Sequence, residues 1–226
     1  MQGIFTCLRF AITLMLSGVL LEICAQSQDA QLWSSFELEK KLDKHNSLHA
    51  KYQFRLAENF SRADYTFLDL GYDYSPNKNI DFSAAYCFNI KNNIERGWTP
   101  RHQWYANFTY SKKFGDLKIA NRNQIQNDIE DAGRSEGTWF YRNKTQLRYS
   151  LNNNLTPFIS AEGYLRLGIR PAQENFFYRT RYMLGLNVKL SKHQKLEFSY
   201  LLQRQIRKKK PDFIHAYCVT YSLTIK

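Results

Sequence analysis

The chain has 226 residues, enough for one sizeable domain or two small ones, and a formal net charge of +12. Aromatic residues make up 15% of it, although its mean hydropathy is −0.55. A helical membrane protein would be far more apolar, and a soluble enzyme this polar rarely has so many aromatic rings. Both values fit rings on a pleated sheet or at a membrane–water boundary.

The first 25 residues have the features of an export signal. Arg9 supplies a positive charge, residues 10–21 form a short apolar run, and Ala25 is a small residue before a cleavage point. The apolar run is shorter than the roughly 20 residues of a transmembrane helix. We predict a signal peptide over residues 1–25 and a mature domain over residues 26–226. Lipoprotein processing at Cys24 is a weaker alternative, because Glu22 stands close before it.

Beyond the signal, apolar and polar side chains alternate in segment after segment, which is typical of strands with two unlike faces. In the first segment, Leu32, Phe36 and Leu38 oppose Glu37 and Glu39. The pattern predicts eleven strand-like segments, in chain order 32–40, 48–56, 66–74, 80–90, 103–110, 117–126, 139–149, 159–167, 178–189, 195–203 and 217–225. Most have about the 9–11 residues that a tilted transmembrane strand needs.

The connections alternate between short turns, such as 43–46 and 115–116, and longer charged loops, such as 91–101 and 128–137. This is the arrangement of bacterial membrane barrels, whose short turns face the periplasm. We therefore predict an all-β fold, an antiparallel transmembrane β-barrel of about 10–12 strands. Because such barrels have an even number of strands, three alternatives stay open: a strand is missed, the first segment lies outside the wall, or the N-terminus enters through the lumen.

The polar faces of the segments carry a long series of charges, which we predict to line the lumen and to pair across it, because buried charges need partners. These residues are Glu37, Lys51, Arg55, Asp69, Asp81, Lys118, Arg122, Arg142, Lys144, Arg148, Glu162, Arg166, Arg179, Arg181, Lys195 and Glu197. A soluble barrel or sandwich, with the apolar face turned inward, is the alternative.

Aromatic residues on the apolar face gather near the strand ends, where interfacial girdles belong. The predicted girdles are Trp104, Trp139 and Tyr178 at one rim, and Tyr74, Tyr110 and Tyr149 at the other.

Four stretches carry a resemblance to a known family: residues 31–39 (QLWSSFELE), 101–105 (RHQWY), 142–144 (RNK) and 155–162 (LTPFISAE). With them, nearly the whole mature chain resembles an uncharacterised family of Bacteroidota outer-membrane barrels, domain of unknown function 2490. The resemblance implies a β-barrel in the outer membrane of a Gram-negative bacterium, and it brings no reaction or ligand. We expect contact with outer-membrane lipid and lipopolysaccharide and insertion by the barrel-assembly machinery. An exported chain is not expected to bind nucleic acid, despite its positive charge.

The sequence offers little catalytic chemistry. A serine hydrolase site on one strand would show His-x-Ser, and the one match, His45-Asn46-Ser47, begins in a predicted turn rather than within a strand. His102, which shares the parity of Trp104 near a rim, is the best candidate for a lipid-modifying barrel enzyme. There is no Cys-x-x-Cys motif, and Cys87 and Cys218 lie on distant segments. We predict no catalytic, metal or cofactor residues. The favoured interpretation is a non-enzymatic narrow pore or a structural or binding protein, and the alternatives are a lipid-modifying enzyme and a soluble secreted barrel or sandwich.

Overall fold

A computed structural model describes residues 28–130, 137–168, 176–206 and 213–226. Within these ranges there are eleven strands and no helix long and apolar enough to cross a membrane. The strands are β1 (Gln28–Lys41), β2 (Asn46–Ala57), β3 (Arg62–Asn77), β4 (Ile80–Asn93), β5 (Gly97–Phe114), β6 (Leu117–Ile129), β7 (Thr138–Tyr149), β8 (Leu155–Leu167), β9 (Phe176–Lys189), β10 (Gln194–Gln205) and β11 (Phe213–Ile225). The predicted signal peptide, residues 1–25, lies outside the described residues.

The strands form one closed barrel in which each pairs with its neighbours in the chain, and β1 closes the ring against β11. Ten of these pairings are antiparallel, whereas β1 and β11 run parallel from Gln28↔Phe213 to Lys40↔Ile225. The prediction of an all-β barrel of 10–12 strands is confirmed. The strand parity is resolved in the described residues by a parallel seam: an odd number of up-and-down strands brings the first and last together in the same direction.

The barrel has two unlike ends. The turn end carries the short connections 42–45, 78–79, 115–116, 150–154 and 190–193, and the loop end carries the other five connections. Four short turns share one device, in which a side-chain oxygen accepts hydrogen bonds from two backbone N–H groups further on: Asp43, Asn77, Asn152 and Ser191 do this. At Asp43 the bond from the His45 N–H, joined by bonds from Asn46, lowers the pKa of the carboxyl group.

The strands are steeply tilted, as closure of a barrel requires. Successive register partners from Leu38, near the turn end of β1, run through Leu70 and Trp104 to Trp139. Trp139 is the second residue of β7, at the loop end. A row perpendicular to the strands therefore climbs from one end of the barrel to the other within seven strands.

A β-bulge in β9 reverses one predicted orientation. Tyr164 pairs with Arg179 and the next residue, Leu165, pairs with Phe177, so Tyr178 is an extra residue on its strand. Tyr178 consequently lines the lumen, with its ring 5.3 Å from that of Phe140. The prediction of Tyr178 as an outer-rim aromatic was wrong. Phe177, 60% exposed, occupies the outer face instead.

Polarity in this barrel is the reverse of that in a soluble protein. Most buried side chains are polar, including Gln53, Asp69, Gln124, Glu162 and Gln203. On the outside, large apolar side chains stand exposed in alternate positions, as Leu68, Leu70, Tyr72 and Tyr74 do along β3. Trp104, Trp139, Tyr110 and Tyr149, from the predicted girdles, are also exposed. The interior is therefore no hydrophobic core; one small apolar cluster, Trp33 with Leu201 and Ala216, is its main exception.

One polar patch interrupts the apolar outer face. It lies midway along β6 and β7, where Asn121, Asn123 and Asn143 hydrogen-bond to one another. Asn121 also donates to the hydroxyl oxygen of Thr145, and Tyr141 donates to the Asn123 carbonyl oxygen at 2.6 Å. The amides thus meet much of their hydrogen-bonding capacity within the sheet, which lowers the cost of placing them in an apolar setting.

Candidate functional site

The inside of the barrel encloses a cavity of about 1220 Å³. Its lining reaches from Arg101 and Glu130 at the loop end to Asn153 and His193 at the turn end. Thirteen of the sixteen charged residues predicted for the lumen lie on its wall: Glu37, Lys51, Arg55, Asp69, Arg122, Arg142, Lys144, Arg148, Glu162, Arg179, Arg181, Lys195 and Glu197.

The other three predicted residues lie near strand ends and outside the cavity lining. Asp81 and Lys118 are each the second residue of their strand at the turn end. Asp81 accepts a hydrogen bond from the Ser75 hydroxyl, and Arg166, near the loop end of β8, lies 5.7 Å from the Phe176 ring centroid. Alternation predicts the face of a strand on which a side chain lies, but it does not predict how far along the barrel axis the side chain lies.

Five guanidinium groups inside the barrel, those of Arg55, Arg122, Arg142, Arg179 and Arg181, are called the arginine belt below. Register sets four of them on adjoining rows. One row runs Arg122, Lys144, Glu162, Arg181 across β6 to β9, and the next runs Arg142, Tyr164, Arg179 across β7 to β9. Because neighbouring strands are about 4.8 Å apart, these side chains converge on the same stretch of lumen.

Glu162 is the carboxylate at the centre of the belt, and its side chain is only 7% exposed. Its Oε1 accepts hydrogen bonds from Arg122 Nη2 at 2.7 Å and from Arg142 Nη2 and Nε at 2.7 and 3.1 Å. Arg181 Nη1 lies 3.9 Å from its Oε2. The reach of Arg122 to Glu162 passes over β7, so the contact ties three strands together.

Aromatic rings hold the remaining belt residues in place. The guanidinium carbons of Arg142, Arg181 and Arg179 lie 4.3, 5.0 and 5.1 Å from the centroid of the Tyr164 ring. The Arg55 guanidinium lies 3.8 Å from the centroid of the Trp33 ring. A cation over an aromatic face is attracted by the ring quadrupole. These contacts fix the cations without neutralising them.

A second cluster, called the acidic wall below, consists of His49, Asp69, Asp73 and Tyr105 on β2, β3 and β5. The His49 ring bridges the two carboxylates, with Nδ1 2.6 Å from Asp73 and Nε2 3.1 Å from Asp69. The Tyr105 hydroxyl donates to Asp69 Oδ2 at 2.7 Å, passing over β4. The chain makes room for the imidazole at Gly71, where an added Cβ would lie 2.3 Å from His49 Cε1.

The charged residues predicted for the lumen do not include His49, Trp33, Tyr164 or Tyr105. All of these line the cavity. Their parity relative to Glu37, Glu162 and Gln103 was a usable signal. Nothing in the linear order signals that His49 lies between two carboxylates.

His102, the candidate for a lipid-modifying site, lies on the outer face among aromatic rings. Its Nδ1 is 2.6 Å from the Tyr86 hydroxyl, and its ring centroid is 5.5 Å from that of Phe88. In the part of the chain that the structure describes, no serine is hydrogen-bonded to its side chain. The enzyme alternative therefore gains no nucleophile from the fold.

Metal chemistry finds no support in the described ranges, where no group of three or more His, Cys, Asp and Glu side chains could hold a metal ion. Cys87 and Cys218 are both free. Chemically, the lumen offers charges and hydrogen-bond donors rather than a nucleophile with its base.

Comparisons with known proteins give a matching family and a similar solved structure. The sequence model of a family described as a protein of unknown function, DUF2490, matches residues 30–213. Among solved structures, the β-domain of the Bordetella autotransporter BrkA is similar at a TM-score of 0.41 and 8% identity, over 76% of this chain and 81% of that one. The comparison with curated proteins found no match.

Proposed function

This chain belongs to the DUF2490 family of proteins of unknown function. We propose that it is a non-enzymatic outer-membrane β-barrel that forms a narrow polar pore. A single observation carries the proposal: the barrel is apolar outside and charged inside. Leu68 and Leu70 on β3 are 44% and 48% exposed, whereas Asp69 between them is buried in the wall of the cavity. Soluble monomers rarely expose contiguous apolar patches larger than a few hundred Å².

Closure supports a membrane setting. In hydrocarbon every backbone N–H and C=O group must be paired within the protein, so a spanning sheet has to close on itself. The β1–β11 seam completes the ring without a free edge. The strands, of 12 to 18 residues, are long enough for the roughly 9–11 residues that a tilted transmembrane strand requires.

The cavity supports a narrow pore rather than a wide one. Long side chains such as Arg142, Arg181 and Tyr164 fill much of the lumen and hold one another across it. The lining still reaches both ends of the barrel and is dominated by polar and charged groups. Small hydrophilic solutes fit this lining, whereas macromolecules do not.

The predicted surroundings enter here as parts of the proposal. Outer-membrane lipid would cover the apolar belt, lipopolysaccharide would meet the rim, and the barrel-assembly machinery would insert the chain after residues 1–25 have directed its export. Exposed aromatic residues such as Trp104 and Tyr110 suit the membrane–water boundary.

The test uses the full exported chain, purified in detergent and reconstituted into planar lipid bilayers. Before solubilisation, we expect the protein to stay in the membrane pellet after alkaline carbonate extraction. In the planar bilayer, we expect it to conduct in small discrete steps. Release into the soluble fraction would overturn the membrane placement, and an absence of conductance in verified, folded barrels would overturn the pore.

The same preparation separates the enzyme alternative. Phospholipid and lipopolysaccharide are incubated with the wild type and with His102→Ala, and we expect no hydrolysis by either. Hydrolysis by the wild type that disappears in the variant would replace the pore with a lipid-modifying activity.

A further inference from the structure

We infer that the arginine belt is a binding and selection site for small solutes that carry a phosphate group, so that the lumen favours anions over cations. The inference deepens the pore proposal, on which its transport part rests. It starts from the charge balance of the cavity lining. Among the described residues, that lining holds thirteen Lys and Arg side chains against nine Asp and Glu.

The surplus of positive charge is concentrated in the belt. Among the described residues, the five guanidinium groups have one carboxylate within 4.0 Å, that of Glu162, which lies 2.7 Å from Arg122 and Arg142 and 3.9 Å from Arg181. Arg55 and Arg179 have no carboxylate oxygen within 4.0 Å among the described residues, and their guanidinium groups lie against aromatic rings. Aromatic contact orients a cation but leaves its charge in place.

The acidic wall does not cancel this surplus, because its two carboxylates are already counted among the nine and it lies on β2, β3 and β5 rather than on the strands of the two arginine rows. Asp69 and Asp73 each hydrogen-bond to one nitrogen of the His49 ring, and Asp69 also accepts a hydrogen bond from the Tyr105 hydroxyl. Glu37, nearer the turn end, is paired with Lys51 at 2.7 Å. A mobile anion that enters the lumen thus meets in the belt a region where guanidinium groups outnumber the carboxylates within 4.0 Å of them.

Donor geometry favours phosphate among the anions. A guanidinium group presents planar pairs of N–H donors that match two oxygens of a phosphate group, whereas a halide ion has no such pair of acceptor atoms. The Nε atoms of Arg122 and Arg179 are buried and have no hydrogen-bond partner among the described residues. Phosphate oxygens between Arg122, Arg179 and Arg181 would supply acceptors and bring up to two negative charges to the surplus.

The first test measures ion selectivity. Wild-type barrels in a planar bilayer under a KCl gradient should show a reversal potential of the sign set by chloride, and inorganic phosphate added to the chloride background should block the current. Arg179→Gln should weaken phosphate block by about tenfold, the factor expected for one charge-assisted hydrogen bond. Lys112→Gln removes the same charge from an exposed position on the outer face and should leave both readings unchanged.

The outcomes separate the two proposals. Conductance with cation selectivity, or block by phosphate that is equal in wild type and Arg179→Gln, overturns the phosphate site while the pore stands. An absence of conductance overturns the pore, and the site is then decided by a second measurement.

That second measurement is thermal unfolding of the detergent-solubilised barrel with inorganic phosphate, against KCl at equal ionic strength. A site that binds phosphate in the folded state raises Tm. We expect a rise for the wild type and for Lys112→Gln, and a reduced rise for Arg179→Gln. Equal Tm values in phosphate and chloride would overturn the site.

Discussion

The acidic wall and the arginine belt both hold charged side chains inside the lumen, but their ratios of cation to anion are opposite. In the acidic wall one imidazole lies between two carboxylates, and in the belt one carboxylate lies between three guanidinium groups. The first arrangement leaves negative charge in excess, whereas the second leaves positive charge in excess. The comparison teaches that clusters of buried charge within one lumen can carry an excess of either sign, and the phosphate site that we propose rests on the cationic cluster.

The largest expected effect comes from removing the carboxylate of the belt. Glu162→Gln leaves Arg122 and Arg142 without their shared acceptor anion, and breaking a buried ion pair at one partner costs roughly 3–5 kcal/mol. The free energy of unfolding in detergent, measured with urea, should fall by about that amount. Glu197→Gln is the matched control, since this carboxylate also lines the lumen but has no ion pair among the described residues. Equal losses in the two variants would show that the belt has no special dependence on Glu162.

The next effect is steric and belongs to the acidic wall. In Gly71→Ala the new Cβ meets the His49 ring at 2.3 Å, and this ring is held by both carboxylates. Overpacking of this kind costs about 1–3 kcal/mol. Gly163→Ala, where the nearest atom would be 3.6 Å away on Phe177, should change the free energy of unfolding by less than about 0.5 kcal/mol. If Gly71→Ala were as well tolerated, the imidazole would be free to swing away and the bridge would be loose.

A smaller effect is expected from the Tyr105–Asp69 hydrogen bond of the acidic wall. Tyr105→Phe removes the donor to Asp69 and should cost about 1 kcal/mol. Tyr65→Phe keeps the ring beneath Arg55, and the Tyr65 hydroxyl has no hydrogen bond among the described residues, so its cost should lie near zero. Both values come from the same urea unfolding measurement. A loss in Tyr65→Phe that matches the loss in Tyr105→Phe would assign the effect to removal of a lumen hydroxyl in general rather than to the hydrogen bond with Asp69.

The sequence predicted most of the charged residues that line the lumen, for a clear physical reason. Side chains of a strand alternate between two faces, so the inward position of Lys51, Asp69 or Arg142 follows from counting by two. The apolar residues next to them in the chain, such as Leu70 after Asp69, indicated the opposite, outward face. Strand number and all-β class followed from the same count.

Three features needed the folded chain. The parallel β1–β11 seam depends on which ends meet when the ring closes, and no local pattern reports that. Tyr178 turned inward because a bulge in β9 breaks the alternation on which its predicted orientation rested. Contacts that pass over a strand, as from Arg122 to Glu162, depend on strand tilt and side-chain length together.

The central claim is the orientation of the two faces, and β3 tests it most directly. A nitroxide spin label is attached at single cysteines introduced at positions 66 to 70, 72 and 73, in a chain with Cys87→Ser and Cys218→Ser, and its collisions with oxygen and with a water-soluble nickel complex are compared in lipid bilayers. Gly71 is left in place because a Cβ there would meet the His49 ring. The account predicts a period of two, with oxygen favoured at 68, 70 and 72 and nickel favoured at 69 and 73. Nickel favoured at 68, 70 and 72 would contradict it, because those side chains would then face water.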